Sequence, residues 1–233
     1  MGFNPPDFEL SSNFEFISLG KEQINGAKGW TNYLIPFFEK LDSKYFIFGI
    51  DDFMIVRPVN QNIFRAACNI MNDEIGRIDL QPLYYARSPE LFTFYTERNG
   101  ISFVKMKQKA IKKVDLYRNS GAFSIWNREW FIKNMKPDWT PWDWEIKGSK
   151  LSENDGYEVV GSLKEFAILK SELLSEQWSG QINTLGIREE DIIEMKKICA
   201  PNDRITDFAR IGPNLYGYSE FAGPNWEEKL YGP

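Results

Sequence analysis

The chain has 233 residues, 42% hydrophobic and 26% charged, with a net charge of −5, two cysteines and no histidine. Without histidine no Ser-His or Cys-His catalytic pair and no His-ligated zinc, haem or iron site can be built within the chain, and Cys68 and Cys199 cannot alone hold a structural zinc. The acidic balance argues against a general nucleic-acid binder, no apolar run approaches the ~18 residues of a membrane span, and the first residues do not read as a signal peptide, so no transmembrane segment and a cytoplasmic setting are expected.

Length and the absence of repeats suggest a single domain over 1–233, with a chain of this size able to bury a core without disulfide staples. Phe14 to Leu19 reads as a strand closed by Gly20. A Gly26 to Gly29 turn precedes Trp30, Leu34, Phe37 and Leu41, which recur at helical spacing, with Pro36 expected to kink the helix or shorten its first turn. Lys44 to Ile50 is apolar without alternation, the pattern of a strand buried on both faces in a parallel sheet, and it runs directly into Asp51 and Asp52. Ile63, Ala66, Ala67 and Ile70 mark a short helix.

Between Gly76 and Met106 apolar residues alternate in pieces, which predicts a β-rich middle. Gly121 to Trp126 reads as a buried strand, and Asn127 as the cap of a helix from Arg128 to Asn134. A Trp- and Pro-rich loop follows, from Lys136 to Glu145. Ser162 to Glu165 has the form of a capping box opening a helix to about Glu176. A further helix is expected from Ile187 to Ile198, and the tail beyond Pro201 is expected to wrap the surface. The order of elements predicts an α/β fold with a mixed second half.

Three constellations could carry chemistry. Asp51 and Asp52 end an apolar strand, and buried charges must be paired or neutralised. In open α/β sheets the carboxyl ends of strands face the ligand crevice, and hard cations such as Mg²⁺ or Mn²⁺ prefer oxygen ligands. The alternative is a turn at Asp52 with Asp51 paired to a base such as Arg57. Trp142, Asp143, Trp144 and Glu145 combine aromatic faces that can stack on sugars with carboxylates that can take a hydroxyl proton. The alternative is that the tryptophans are core residues and Glu145 only caps or pairs. Asn25, Gly26 and Lys28 lie just before a helix, where glycine permits close backbone approach and the helix N-terminus favours anions; a plain loop-to-helix turn is the simpler reading.

In their order these pieces resemble the nucleotide-binding half of glycosyltransferases with the GT-A fold. The strand Tyr45 to Ile50 would lead into the acidic motif, and Asn119 to Trp126 followed by Asn127 to Phe131 looks like the acceptor-side strand and helix. Trp142 to Glu145 looks like the acidic, tryptophan-bearing loop of inverting members. The chain is particularly similar to bacterial glycosyltransferase-like proteins of surface-polysaccharide gene clusters, over roughly residues 10 to 150.

The resemblance implies a Rossmann-like mixed sheet flanked by helices, complete or lacking its first strand, since Met1 to Phe3 looks like that strand's tail. It divides the domain into a nucleotide-binding half (1–75), an acceptor half (76–150) and C-terminal helices with a tail (151–233). It further implies a nucleotide-sugar donor and a saccharide or other hydroxyl acceptor. A divalent cation, Mn²⁺ or Mg²⁺, would be held by Asp52 with Asp51 nearer the ribose. Glu145 would be the base in preference to Asp143. Trp142 and Trp144 would be sugar-stacking residues, and Asn25, Gly26 and Lys28 would be donor contacts. A cytoplasmic location, peripheral to the inner membrane or free of it, goes with this. The rival classes are a two-carboxylate glycoside hydrolase and a non-catalytic carbohydrate-binding protein. Because many GT-A enzymes complete their metal shell with a histidine that this chain lacks, no tightly bound metal is expected without the nucleotide.

Overall fold

The structure, a computed structural model, describes residues 1–3, 5, 7, 9–20, 28–50, 53–55, 59–80, 89–109, 117–163 and 169–171. Its centre is a six-stranded mixed sheet built from β1 (Tyr45–Phe48), β3 (Ile75–Asp79), β4 (Phe92–Arg98), β5 (Ile101–Met106), β6 (Ser124–Asn127) and β7 (Glu158–Ser162). The strands run in the order β1-β6-β3-β7-β5-β4. Only β3 and β7 pair in parallel; the other neighbours are antiparallel. A separate two-stranded ribbon joins β2 (Phe53–Ile55) to β8 (Leu169–Ser171). Helices lie on both faces, so the α/β expectation holds at the level of a mixed sheet with flanking helices.

The two faces follow from the period of two along each strand. Trp126, Val104 and Val159 point into a core with Leu34 and Phe38 of α1 (Trp30–Glu39), Trp130 and Phe131 of α3 (Arg128–Lys133), and Trp144. Their neighbours Ile125, Phe103 and Val160 point the other way, onto Ile63, Ala66 and Ala67 of α2 (Gln61–Ile70). Asn60 caps α2 by accepting from the amides of Asn62 and Ile63, and Asn127 caps α3 by accepting from that of Trp130. The two-residue turn between β4 and β5 is Asn99-Gly100, with φ of 54° and 70°, the positive values a tight hairpin needs.

Several expectations are corrected. Phe14 to Leu19 is not a strand: its one bridge is Ser18 to Gly2, in parallel, and Phe14 is 68% exposed, so the alternation has no sheet to face. Pro36 does not end helix α1, which continues to Glu39; Pro36 and Asn32, whose carbonyl loses its helical donor, both lie on the solvent side. Strand β1 is antiparallel to β6 and ends the described sheet, with Ile47 46% exposed, rather than lying in a parallel sheet covered on both faces. The segment after Lys136 is not a loop throughout: Thr140 starts a helix, α4, that passes through Pro141–Asp143, a wide π turn Trp144–Gly148 and Ser149–Leu151. Ser162 ends β7 instead of capping a helix, and the expected helix is crossed by strand β8 at Leu169–Ser171. The expected helix Ile187 to Ile198 and the tail beyond Pro201 lie outside the described residues.

Candidate active site

The segment Arg118 to Gly121, leading into β6, forms the floor of the site. Arg118 and Asn119 are fully buried. Arg118 Nε donates to Ser152 Oγ at 3.0 Å and its Nη2 to the Tyr157 carbonyl at 2.7 Å. Burial pushes the Arg118 guanidinium down to about 10, opposed by the nearby Asp155 carboxylate. From β3 the fully buried Arg77 reaches the Tyr117 carbonyl at 3.2 Å and lies over the Trp126 ring at 5.4 Å. The floor is therefore tied to the sheet on one side and to α4 and its following turn on the other.

Glu145 lies in the π turn, half-buried, and its Oε1 accepts from the Gly121 amide at 2.7 Å. The Gly121 carbonyl in turn accepts from the Ile50 amide at 3.0 Å. The packing is close here: a Cβ on Gly121 would stand 2.8 Å from Ile50 Cδ1, so the Ile50 side chain would have to shift. One residue thus joins the predicted base to the residue that immediately precedes Asp51. Asp51 and Asp52 themselves lie outside the described residues, as do Asn25 and Gly26.

Of the third constellation only Lys28 is among the described residues. Lys28 is exposed in the turn before α1, and Gly29 caps the helix in the left-handed region at φ 78°. The Thr31 amide donates to the Trp139 carbonyl at 3.2 Å, Thr31 Oγ1 donates to the Lys136 carbonyl at 2.7 Å, and Asn32 and Asp138 exchange two bonds of 2.8 and 2.9 Å. Trp30 packs on Trp144 with ring centres 5.6 Å apart. The start of α1 is therefore clipped to the chain that leads into α4 and Glu145.

Two predicted site residues have structural employment instead. Trp144 is 1% exposed and enclosed by Trp30, Phe48, Trp126 and Phe131, so no face of its ring is open to a sugar. Asp143 completes the capping box of α4: its Oδ2 accepts from the Thr140 amide at 3.2 Å while Thr140 Oγ1 accepts from the Asp143 amide at 3.0 Å. Its Oδ1 meets Lys147 Nζ at 2.7 Å. The Lys147 ammonium, then the Thr140 amide, hold its carboxyl below the ordinary range. Both oxygens are engaged in building the helix. Trp142, by contrast, is 59% exposed and keeps its ring available.

Sequence reasoning missed Asn119 and Gly121 as parts of this site. Asn119 and Gly121 stood within a stretch read only as strand, and the pairing of an amide with a side chain many residues later leaves no local pattern. Among the described residues no group of three or more His, Cys, Asp or Glu is placed to hold a metal ion. No helix among them is long and apolar enough to cross a membrane. No family model, curated protein or solved structure matches the chain.

Proposed function

We propose that the chain is a GT-A-type glycosyltransferase that moves a sugar from a nucleotide-sugar donor to a hydroxyl acceptor with inversion. One observation carries the reading: Gly121 bonds Glu145 through its N–H and Ile50 through its carbonyl. Adjacent Cα atoms are about 3.8 Å apart, so the acidic pair begins one residue from that junction. A carboxylate at the junction, with two more carboxylates next in sequence after Ile50, suits a reaction in which one group removes a proton while others meet a diphosphate.

Asp51 and Asp52 offer hard oxygen donors in a chain without histidine, a donor set that fits Mg²⁺ or Mn²⁺. Bound there with the donor, the ion would neutralise charge growing on the leaving diphosphate. Glu145 takes the proton of the acceptor hydroxyl. The oxygen lone pair forms the new bond to the anomeric carbon as the bond to the diphosphate oxygen breaks, its electron pair leaving with the nucleoside diphosphate. The Gly121 amide fixes the carboxylate while this happens. Trp142 offers a stacking face for the sugar, and Lys28, with Asn25 and Gly26, is assigned to the donor phosphates. Polysaccharide biosynthesis at the cytoplasmic side of a membrane is the setting this chemistry suggests.

The exposed Trp142 ring equally serves a protein that binds saccharide without turning it over. Thermal shift with UDP- and GDP-sugars, with and without Mn²⁺, separates the readings. The transferase should be stabilised by nucleotide-sugar and metal together, little by metal alone, and Asp52→Ala should abolish the response. Stabilisation by free saccharide but by no nucleotide would favour the binding protein, and release of sugar from an oligosaccharide would favour a hydrolase.

A further inference from the structure

We infer that Asn119 is the positioning residue for Glu145: its side-chain amide opens the π turn that carries the carboxylate to the Gly121 amide. This rests on Glu145 being the base of the proposed transferase, although its geometry stands independently. Helix α4 and the segment Asn119 to Gly121 are joined by three bonds. Asn119 Nδ2 donates to the Trp144 carbonyl at 3.3 Å, the Asn119 backbone amide donates to Ser149 Oγ at 2.9 Å, and the Gly121 amide donates to Glu145 Oε1 at 2.7 Å.

A π turn arises where a side chain enters the helical hydrogen-bond ladder, and such turns recur at functional sites. Here the entering group is identified. The Trp144 carbonyl begins the wide turn Trp144–Gly148, and Asn119 supplies it with a donor from outside the helix. Asn119 reaches that carbonyl only because residue 148 is glycine: a Cβ there would lie 2.3 Å from Asn119 Nδ2 and 2.7 Å from the Asn134 carbonyl. Asn119 is fully buried and its Oδ1 meets no protein donor, so the side chain is oriented through its donor end. Trp144 is locked in the aromatic core, which leaves the following residue, Glu145, to be aimed by how widely the helix turns. Asn119 touches no reacting atom in this scheme; it acts through Trp144 and Glu145.

The test reads the Gly121 amide proton by NMR in the full chain. A bond to a carboxylate draws this resonance downfield, and Glu145→Gln should move it upfield and so identify it. Asn119→Ala should move it to the same place while the amides of β3, β6 and β7 keep their positions. If Asn119→Ala does not fold, Ser149→Ala removes the neighbouring bond at the cost of one hydroxyl and should produce a smaller shift in the same direction. A folded variant of either kind with the Gly121 resonance unmoved overturns the inference. Transfer activity is measured separately. If wild type transfers no sugar yet Gly121 responds as described, the functional reading fails and the positioning relationship stands. If wild type transfers sugar, Asn119→Ala should lower kcat with donor KM retained, and an unchanged kcat counts against the inference.

Discussion

The Gly121 amide donates to Glu145 Oε1 at 2.7 Å across 24 residues of chain. It is a charge-assisted bond made by a residue whose carbonyl is already committed to Ile50, so the carboxylate is fixed to the end of the sheet rather than merely to its own helix. Glu145→Gln keeps the shape and an acceptor oxygen but gives up the charge. A hydrogen bond to a charged group contributes roughly 1 kcal/mol more than a neutral one, so a loss of about 1 kcal/mol in urea unfolding is expected. Losing a general base should lower transfer by about 10²- to 10⁴-fold with nucleotide-sugar binding retained. Joint loss of binding and transfer would mean that Glu145 holds the donor and does not act as the base.

Trp142 and Trp144 stand two residues apart and should behave oppositely. Trp144→Ala empties the centre of an aromatic cluster, and truncating a buried tryptophan costs about 3–5 kcal/mol. Trp142→Ala removes a mostly exposed ring and should stay within about 0.5 kcal/mol of wild type in denaturant unfolding. In saccharide titrations Trp142→Ala should weaken binding. If binding survives Trp142→Ala intact, stacking occurs elsewhere.

How far the sequence foretold this arrangement depends on the range of the interaction. Some local signals were legible: Asn127 caps α3 as its position suggested, and Ile63 to Ile70 is helical with Ile63, Ala66 and Ala67 buried, although the equally local capping-box pattern at Ser162 falls at the end of a strand. Edge and centre were not legible. The apolar run at β1 looks like an interior strand, yet it ends the described sheet, whereas Arg77 and Asp79, polar enough to suggest a wet face, are fully buried in β3. Partner strands decide which is which, and those lie far away in sequence. For the candidate site, residue type offered both Asp143 and Glu145 and only the resemblance favoured Glu145, while the tryptophans beside them could not be assigned to core or surface. A π turn within α4 breaks the 3.6-residue period from which such an assignment would be made.

Gly76 is as crowded as Gly148. A Cβ on Gly76 would come within 2.3 Å of the Trp130 ring. That ring cannot swing away: its Nε1 donates to Asp155 Oδ2 at 2.7 Å and it stacks on Trp126 with centres 5.6 Å apart. Overpacking a core costs roughly 1–3 kcal/mol, and with both neighbours pinned Gly76→Ala should reach about 3 kcal/mol. The measurement is the midpoint of chemical unfolding. A loss below about 1 kcal/mol would show that the Trp130–Asp155 bond yields more readily than its geometry implies.

Asp143 supplies a pH-dependent term. Lys147 and the Thr140 amide lower its folded pKa, so its contribution to stability is complete above the unfolded value of about 4 and fades as pH falls through the folded value. Both members of the Asp143–Lys147 pair are open to solvent, which makes the term small and sensitive to salt. Asp143→Asn should therefore lower Tm slightly at neutral pH, less with added salt, and not at all once wild-type Asp143 is protonated. Thr140→Ala acts through the uncharged half of the same capping box, removing the acceptor for the Asp143 amide, and should cost about 1 kcal/mol across that whole range. Melting curves of the two variants from neutral to acid pH separate charge from cap. A wild-type-to-Asp143→Asn gap that persists unchanged in acid would mean that Asp143 stabilises α4 by shape alone and that the Lys147 pair contributes nothing.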